Sequence, residues 1–340
     1  MKRYTLLIIG MIAILLTACE GYETTETLKA GESRLVVYAF PSDSDEYLLN
    51  VSVTQPVSGY ITEPQIQDVR CWTNDVEDEV TLLQVESHYF LPVYIYRVKG
   101  QHQPGDRIRI SVRAARLPDV TAETTIPRRT EMEVTEARQT EVNARMVFRM
   151  NFTDPVKTQD YYAVRVLEHK TPNYHNPDED EEHPAPDNNY YRDDNNYYWD
   201  GSYNWDKQLN YCTIFTEYEP LLGRYNDMNL DAWNEYYDYL YCFSDEAFQE
   251  SRVEMNLVAQ CVNTGRKDYT LEFYTLSPEY FRMLQSLNDQ RSNEFGDSGF
   301  APVTSTFNNV RGGYGCVAGY TCHSFVYKDG NVLDFDPVYK

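Results

Sequence analysis

Positive charge is scarce in this 340-residue chain: 30 Lys and Arg stand against 53 Asp and Glu, a formal net charge of −23. Nucleic-acid binding works by neutralising phosphates, so this balance excludes a nucleic-acid partner. It also disfavours docking on an anionic surface and favours a soluble, mutually repelling body. Histidine is sparse, with six in the chain. No HExxH pair is available for a zinc hydrolase. No GxSxG elbow occurs. Gly312-Gly313-Tyr314-Gly315 lacks the Gly-Lys-Ser/Thr of a phosphate loop. The cysteines have no close CxxC pairs, which removes a structural zinc site. Beyond the first residues, no segment approaches the ~20 apolar positions of a membrane-spanning helix.

Residues that do suggest chemistry lack the partners it needs. Gly296-Asp297-Ser298-Gly299 spells the tetrapeptide around a chymotrypsin-like nucleophile. That nucleophile needs an upstream histidine base and an orienting carboxylate, and neither His88 nor His102 has the expected setting. A turn after a helix explains the tetrapeptide. His169, His175 and His183 lie close together but in a polar loop, where solvated side chains are the plainer reading. The acidic residues nominate no general acid and base pair. The expectation is therefore a protein without catalytic residues.

The start of the chain is specific. Lys2 and Arg3 precede an apolar core, and Leu16-Thr17-Ala18-Cys19 ends it. This is a secretory signal segment, residues 1–18, and it resembles a bacterial lipoprotein signal whose cleavage leaves Cys19 lipidated. Acyl chains on Cys19 would hold the protein on a membrane surface. Residues 19–31 are polar and aperiodic, a tether. Cys71, Cys212, Cys242, Cys261, Cys316 and Cys322 remain, an even set that outside the cytosol is consistent with disulfides. Cys316 and Cys322, around a Gly-rich turn, are the favoured pair.

Short alternating segments separated by turn residues predict a mainly β fold. Residues 32–128 read as an immunoglobulin-like β-sandwich. In Asp106–Val112, Ile108, Ile110 and Val112 share one strand face. Residues 129–340 read as a second, larger β-sandwich-like domain. Met146, Phe148, Met150 and Phe152 alternate, and Leu271 and Phe273 oppose Glu272 and Tyr274. One helix is clear: Ser277 caps it, Pro278 opens it, and Tyr280, Leu284 and Leu287 form its apolar stripe.

A long acidic, aromatic insertion, residues 171–206, interrupts the second domain. Asp187, Asp193, Asp194 and Asp200 are weak candidates for a structural calcium ion, since they offer hard oxygens out of EF-hand register; no other cofactor is expected. Tyr190, Tyr191, Tyr197, Tyr198, Trp199, Tyr203 and Trp205 are candidate partner or glycan contacts. Folding back to pin the loop, meeting a partner and stacking on sugar rings are all open to them.

RLVVYAF, Ile126-Pro127, NFTDP, DYYAVRV, CFSDEAF, VEMNLV, LEFYTLSPEYFRML and FAPVTSTFNNVRGGYGCVAGY follow one another in that order. Together with the LTAC signal ending, they resemble the Bacteroidota outer-membrane lipoprotein family catalogued as domain of unknown function 4249. The resemblance implies an outer-membrane lipoprotein, working near a TonB-dependent receptor, with no catalytic residues to carry over. Glu20, Glu23 and Glu26 resemble the export signals of lipoproteins that face the extracellular side. The expected role is a non-catalytic binding or accessory component that captures a small nutrient, peptide or glycan. The alternatives are a structural or adhesive surface protein, and a surface glycan or peptide hydrolase.

Overall fold

The computed structural model describes residues 33–54, 64–88, 91–140, 145–154, 158–169, 191–192, 197–198, 209–223, 240–248, 252–260, 268–291, 305–328 and 331–335. The signal segment, Cys19, the whole tether region and Gly296–Gly299 lie outside them. Arg34–Thr54 and Glu63–Lys340 form one compact unit.

Eight strands come first: β1 (Leu35–Ala39), β2 (Glu46–Val53), β3 (Ile66–Thr73), β4 (Val76–Glu77), β5 (Glu79–His88), β6 (Leu91–Lys99), β7 (Arg107–Ala114) and β8 (Val120–Thr125). The rest of the chain carries β9 (Met132–Gln139), β10 (Arg145–Thr153), β11 (Tyr161–His169), β12 (Tyr191–Arg192), β13 (Tyr197–Tyr198), β14 (Leu209–Ile214), β15 (Tyr241–Ser244), β16 (Arg252–Gln260), β17 (Tyr269–Leu276), β18 (Tyr314–Val317), β19 (Tyr320–Lys328) and β20 (Asn331–Phe335). The fold is mainly β, with a four-residue helical turn at Pro220–Gly223 and a 14-residue helix at Pro278–Arg291 among the described residues.

The first block has two sheets, β18-β1-β2-β6-β5 and β4-β3-β7-β8. Period-two alternation turns Ile108, Ile110 and Val112 of β7 inward, where they meet Leu35, Val37 and Leu49 of the other sheet in one core. The larger sheet runs β20-β19-β17-β11-β14-β16-β10-β9, with β15 also paired to β11. β9 comes back beside β19 and β20, so this sheet nearly closes into a barrel. Its interior is aromatic and sulfur-rich: Met146, Phe148, Met150 and Phe152 from β10 meet Tyr162 of β11 and Phe273 of β17. The alternation expected in β10 is the alternation found.

β17 is buried on both faces, which the alternation of Leu271 and Phe273 against Glu272 and Tyr274 did not foretell. The reason is the helix Pro278–Arg291, which lies over the barrel's outer face. The Tyr280 amide donates to Ser277 Oγ at 3.3 Å, the expected cap. Tyr280, Phe281, Met283 and Leu284 pack with Tyr161, Ala163, Tyr274 and Leu276. Leu284 is fully buried, a burial that stabilises by about 1.5–3 kcal/mol.

The Gly-rich segment near the end returns to the first block. β18 pairs parallel with β1, Gly315 opposite Val37. Just before it, Arg311 and Thr121 exchange backbone hydrogen bonds of 2.8 and 3.1 Å. The Asn309 side chain imitates a strand: Oδ1 accepts from the Val317 amide at 2.9 Å, and Nδ2 donates to the Val317 carbonyl at 2.7 Å. The segment thus joins β8 of one sheet to β1 of the other.

The disulfide expectation is corrected here. Cys71, Cys212, Cys242, Cys316 and Cys322 are buried thiols, and no disulfide occurs among the described residues; Cys261 lies outside them. The turn between Cys316 and Cys322 is not a hairpin. Cys316 sits on β18 against β1, while Cys322 sits on β19 against β17. The chain crosses from one sheet to another between them instead of folding back. Burial pushes Cys71, Cys242 and Cys316 up to about 12, and raises Cys322 as well. A thiol so far from ionising is a poor nucleophile. Ellman's reagent is therefore expected to leave these five thiols unreacted in the folded protein and to titrate them in denaturant without prior reduction. A shortfall in that denatured titration would restore the disulfide.

Candidate functional site

The insertion leaves the large sheet at the end of β11 and rejoins it at the start of β14. These strands pair antiparallel, His169 opposite Leu209, so the two ends of the insertion are held side by side. Within it β12 and β13 pair, Tyr191 opposite Tyr198 and Arg192 opposite Tyr197. The backbone of the candidates Tyr191, Tyr197 and Tyr198 therefore belongs to a short hairpin. Tyr190, Trp199, Tyr203 and Trp205 lie outside the described residues, as do Asp187, Asp193, Asp194, Asp200, His175 and His183. His169 ends β11, its Nε2 2.7 Å from Thr270 Oγ1.

Three groups of buried polar side chains stand elsewhere. The first lies in the N-terminal block. His102 is 1 % exposed, and its Nδ1 donates to the Ser44 carbonyl at 2.6 Å. Its Nε2 faces Asp78 Oδ2 at 3.9 Å, and Thr73 Oγ1 donates to that same oxygen at 2.9 Å. Tyr47 packs on the His102 ring with centroids 5.1 Å apart. Burial raises Asp78, and burial followed by the nearby Cys71 raises Tyr47. The Cys71 sulfur beside this group is fully buried, and burial pushes it up to about 12, so it stays protonated. The group braces the β2–β3–β7 corner.

The second is on the outer face of the barrel, where Arg165 of β11 stands opposite Glu272 of β17. Arg165 Nε donates to Glu272 Oε2 at 2.7 Å, and Arg165 Nη2 to Tyr274 Oη at 2.6 Å. The Tyr274 hydroxyl in turn donates to Glu272 Oε2 at 2.7 Å, closing a triangle. The guanidinium also lies 5.5 Å from the Tyr211 ring centroid, on the strand that re-enters from the insertion. Such a charge is committed to its neighbours, and its work is to hold β11, β14 and β17 in register.

The third group joins Asp154, Asp160 and Asp245, each offering a carboxylate oxygen within 4.8 Å of the other two. Asp154 follows β10, Asp160 precedes β11 and Asp245 follows β15. Tyr161 pairs with Ser244, which sets Asp160 and Asp245 opposite each other, and the Asp245 amide donates to the Asp160 carbonyl at 3.1 Å. Tyr162 Oη donates to Asp154 Oδ1 at 2.5 Å, and Thr158 Oγ1 to Asp160 Oδ2 at 2.5 Å. Burial raises Tyr162 first, and its hydrogen bond to Asp154 adds to that, so it remains a phenol. Burial, with the charge of Asp160, raises Asp245. Among the described residues this is the group whose chemistry suits a metal ion.

Sequence reasoning found none of these groups as groups. Asp154 and Asp245 are visible in the sequence as turn residues beside Pro155 and Ser244. Which turns meet is decided by the pairing of β11 with β15, and that pairing carries no local signal.

A family model described as "Domain of unknown function (DUF4249)" matches residues 22–325. No curated protein matches the chain.

Proposed function

The chain belongs to that family, whose description carries no activity, and from this premise we propose that it is a lipid-anchored, non-catalytic binding or accessory protein on the outer membrane, facing outward. In this reading Cys19 carries the lipid, and the body works alongside a TonB-dependent transporter to capture a small nutrient, peptide or glycan. The N-terminal pair of sheets is the immunoglobulin-like spacer, which their shared core supports. No helix among the described residues is long and apolar enough to cross a membrane, which is compatible with attachment through lipid.

The observation that carries the proposal is the stem of the insertion. An excursion of Tyr, Trp, Asn and Asp leaves the large sheet with its ends pinned by paired strands. Aromatics with polar edges give large contact area at low entropy cost. Two of the buried polar groups, His102 with Asp78 and Arg165 with Glu272, are occupied with bracing the sheets, which favours the insertion as the recognition element.

Two variants test this reading. Cys19→Ser is expected to move the protein from the membrane fraction to the soluble fraction. Extraction of tagged wild-type protein in mild detergent is expected to recover an outer-membrane β-barrel, at least tenfold depleted when residues 171–206 are deleted. Recovery of no barrel, or equal recovery with the deletion, would remove the accessory role and leave a structural or adhesive one.

A further inference from the structure

We infer that Asp154, Asp160 and Asp245 hold a hard divalent cation, calcium by preference, which clamps the β10–β11 connection to the end of β15. The three oxygens are drawn from separate turns yet lie within 4.8 Å of one another. Calcium binds oxygens at ~2.3–2.6 Å, so two ligands on one ion can stand ~4.6–5.2 Å apart. Each pair of oxygens thus lies within the span of one calcium ion, which the three bind together once their mutual separations are ~4.0–4.5 Å or less. Magnesium needs bonds of ~2.0–2.1 Å and usually keeps several waters, with one or two carboxylates. Three converging carboxylates suit it less well. The cluster offers oxygen ligands alone, without histidine or cysteine, which disfavours zinc and copper.

Asp245 supplies the second, independent observation. It is 0 % exposed, and no side chain or well-placed amide hydrogen-bonds either of its carboxylate oxygens, the favourable influence on its charge coming from the backbone of Asp160 and of Asp245 itself. A buried carboxylate left in that state is strongly unfavourable unless a cation or proton meets it. Among the described residues, no Lys or Arg forms an ion pair with Asp245 or Asp160, and the charges that act on Asp245 are the like charges of Asp160 and Glu246. By contrast, Asp154 and Asp160 each accept one hydroxyl hydrogen bond, from Tyr162 and Thr158. Such bonds orient a ligating carboxylate. None of its three members belongs to the insertion in sequence, and the site joins strands of the large sheet.

Calorimetry and thermal melts on full-length protein stripped with EDTA test this, with calcium chloride as the probe. At about 5 mM calcium, above the ~10⁻⁴–10⁻³ M dissociation constants of extracellular calcium modules, the melting temperature is expected to rise by about 3–10 °C. Asp245→Asn should melt above the stripped wild type, because a like charge is gone, and should lose the calcium response. Asp160→Asn, at a half-buried position, should lose the response too and guards against misfolding of the first variant. Asp193→Asn/Asp194→Asn in the insertion should keep it. No heat and no melting shift with calcium would overturn the inference, and so would a shift that survives in both Asp245→Asn and Asp160→Asn. A larger shift with magnesium than with calcium would overturn the preference for calcium.

Discussion

Gly315→Ala is expected to lower the melting temperature by about 10 °C, a loss of roughly 3–5 kcal/mol for a chain of this size. Gly315 has φ +120°, a backbone conformation that L side chains rarely adopt. A Cβ there would run into the Val37 carbonyl, the strand partner in the parallel β1–β18 ladder. Backbone cannot rotate aside as a flexible side chain can, so the ladder itself must part. Gly105 separates the two costs. Its φ is +97°, but nothing lies within 4 Å of the position a Cβ would take. Gly105→Ala thus pays the conformational term alone, about 1 kcal/mol. Equal shifts for the two variants in urea unfolding would show that the close approach to Val37 contributes nothing.

Arg165→Ala is the other large loss, about 3 kcal/mol. The Arg165 and Glu272 side chains are 15 % and 9 % exposed, so removing the guanidinium leaves a carboxylate in low dielectric with one hydroxyl for company. Breaking a buried pair from one side typically costs ~3–5 kcal/mol, whereas replacing both members by apolar groups is often close to neutral. Arg165→Leu/Glu272→Leu is accordingly expected to unfold at higher urea than Arg165→Ala, despite carrying one change more. Tyr274 limits the recovery, because its hydroxyl would lose both its donor and its acceptor. Strict additivity of the single losses, Arg165→Leu and Glu272→Leu, would mean that the triangle is not a coupled unit.

What was legible in the sequence is what depends on local pattern. The faces of β7 and β10 follow from period-two alternation, and Ser277-Pro278 marks the helix start to the residue. The burial of β17 on both faces was not legible, since it depends on which sheet the following helix chooses. Glycine is a poor strand former, so Gly312–Gly315 carry no strand signal in the sequence. Two of those glycines do have positive φ, yet Gly315 belongs to a strand, and its partner Val37 is at the opposite end of the chain. The cysteines misled because an even count carries no geometry. The aspartate cluster was hidden for the same reason as β18: its members are ordinary turn residues until distant strands pair.

The β1–β18 ladder also has a consequence for the order in which the molecule can assemble. β1 is among the first strands synthesised, but one of its two neighbours arrives only with Tyr314–Val317. Until then β1 is an open edge of the first sheet, with unpaired amides and carbonyls, the surface on which strands from other chains add. Pairings that span most of a chain also form slowly. A fragment ending at residue 128 would keep that edge for good, and a nascent chain keeps it for nearly the whole of its synthesis.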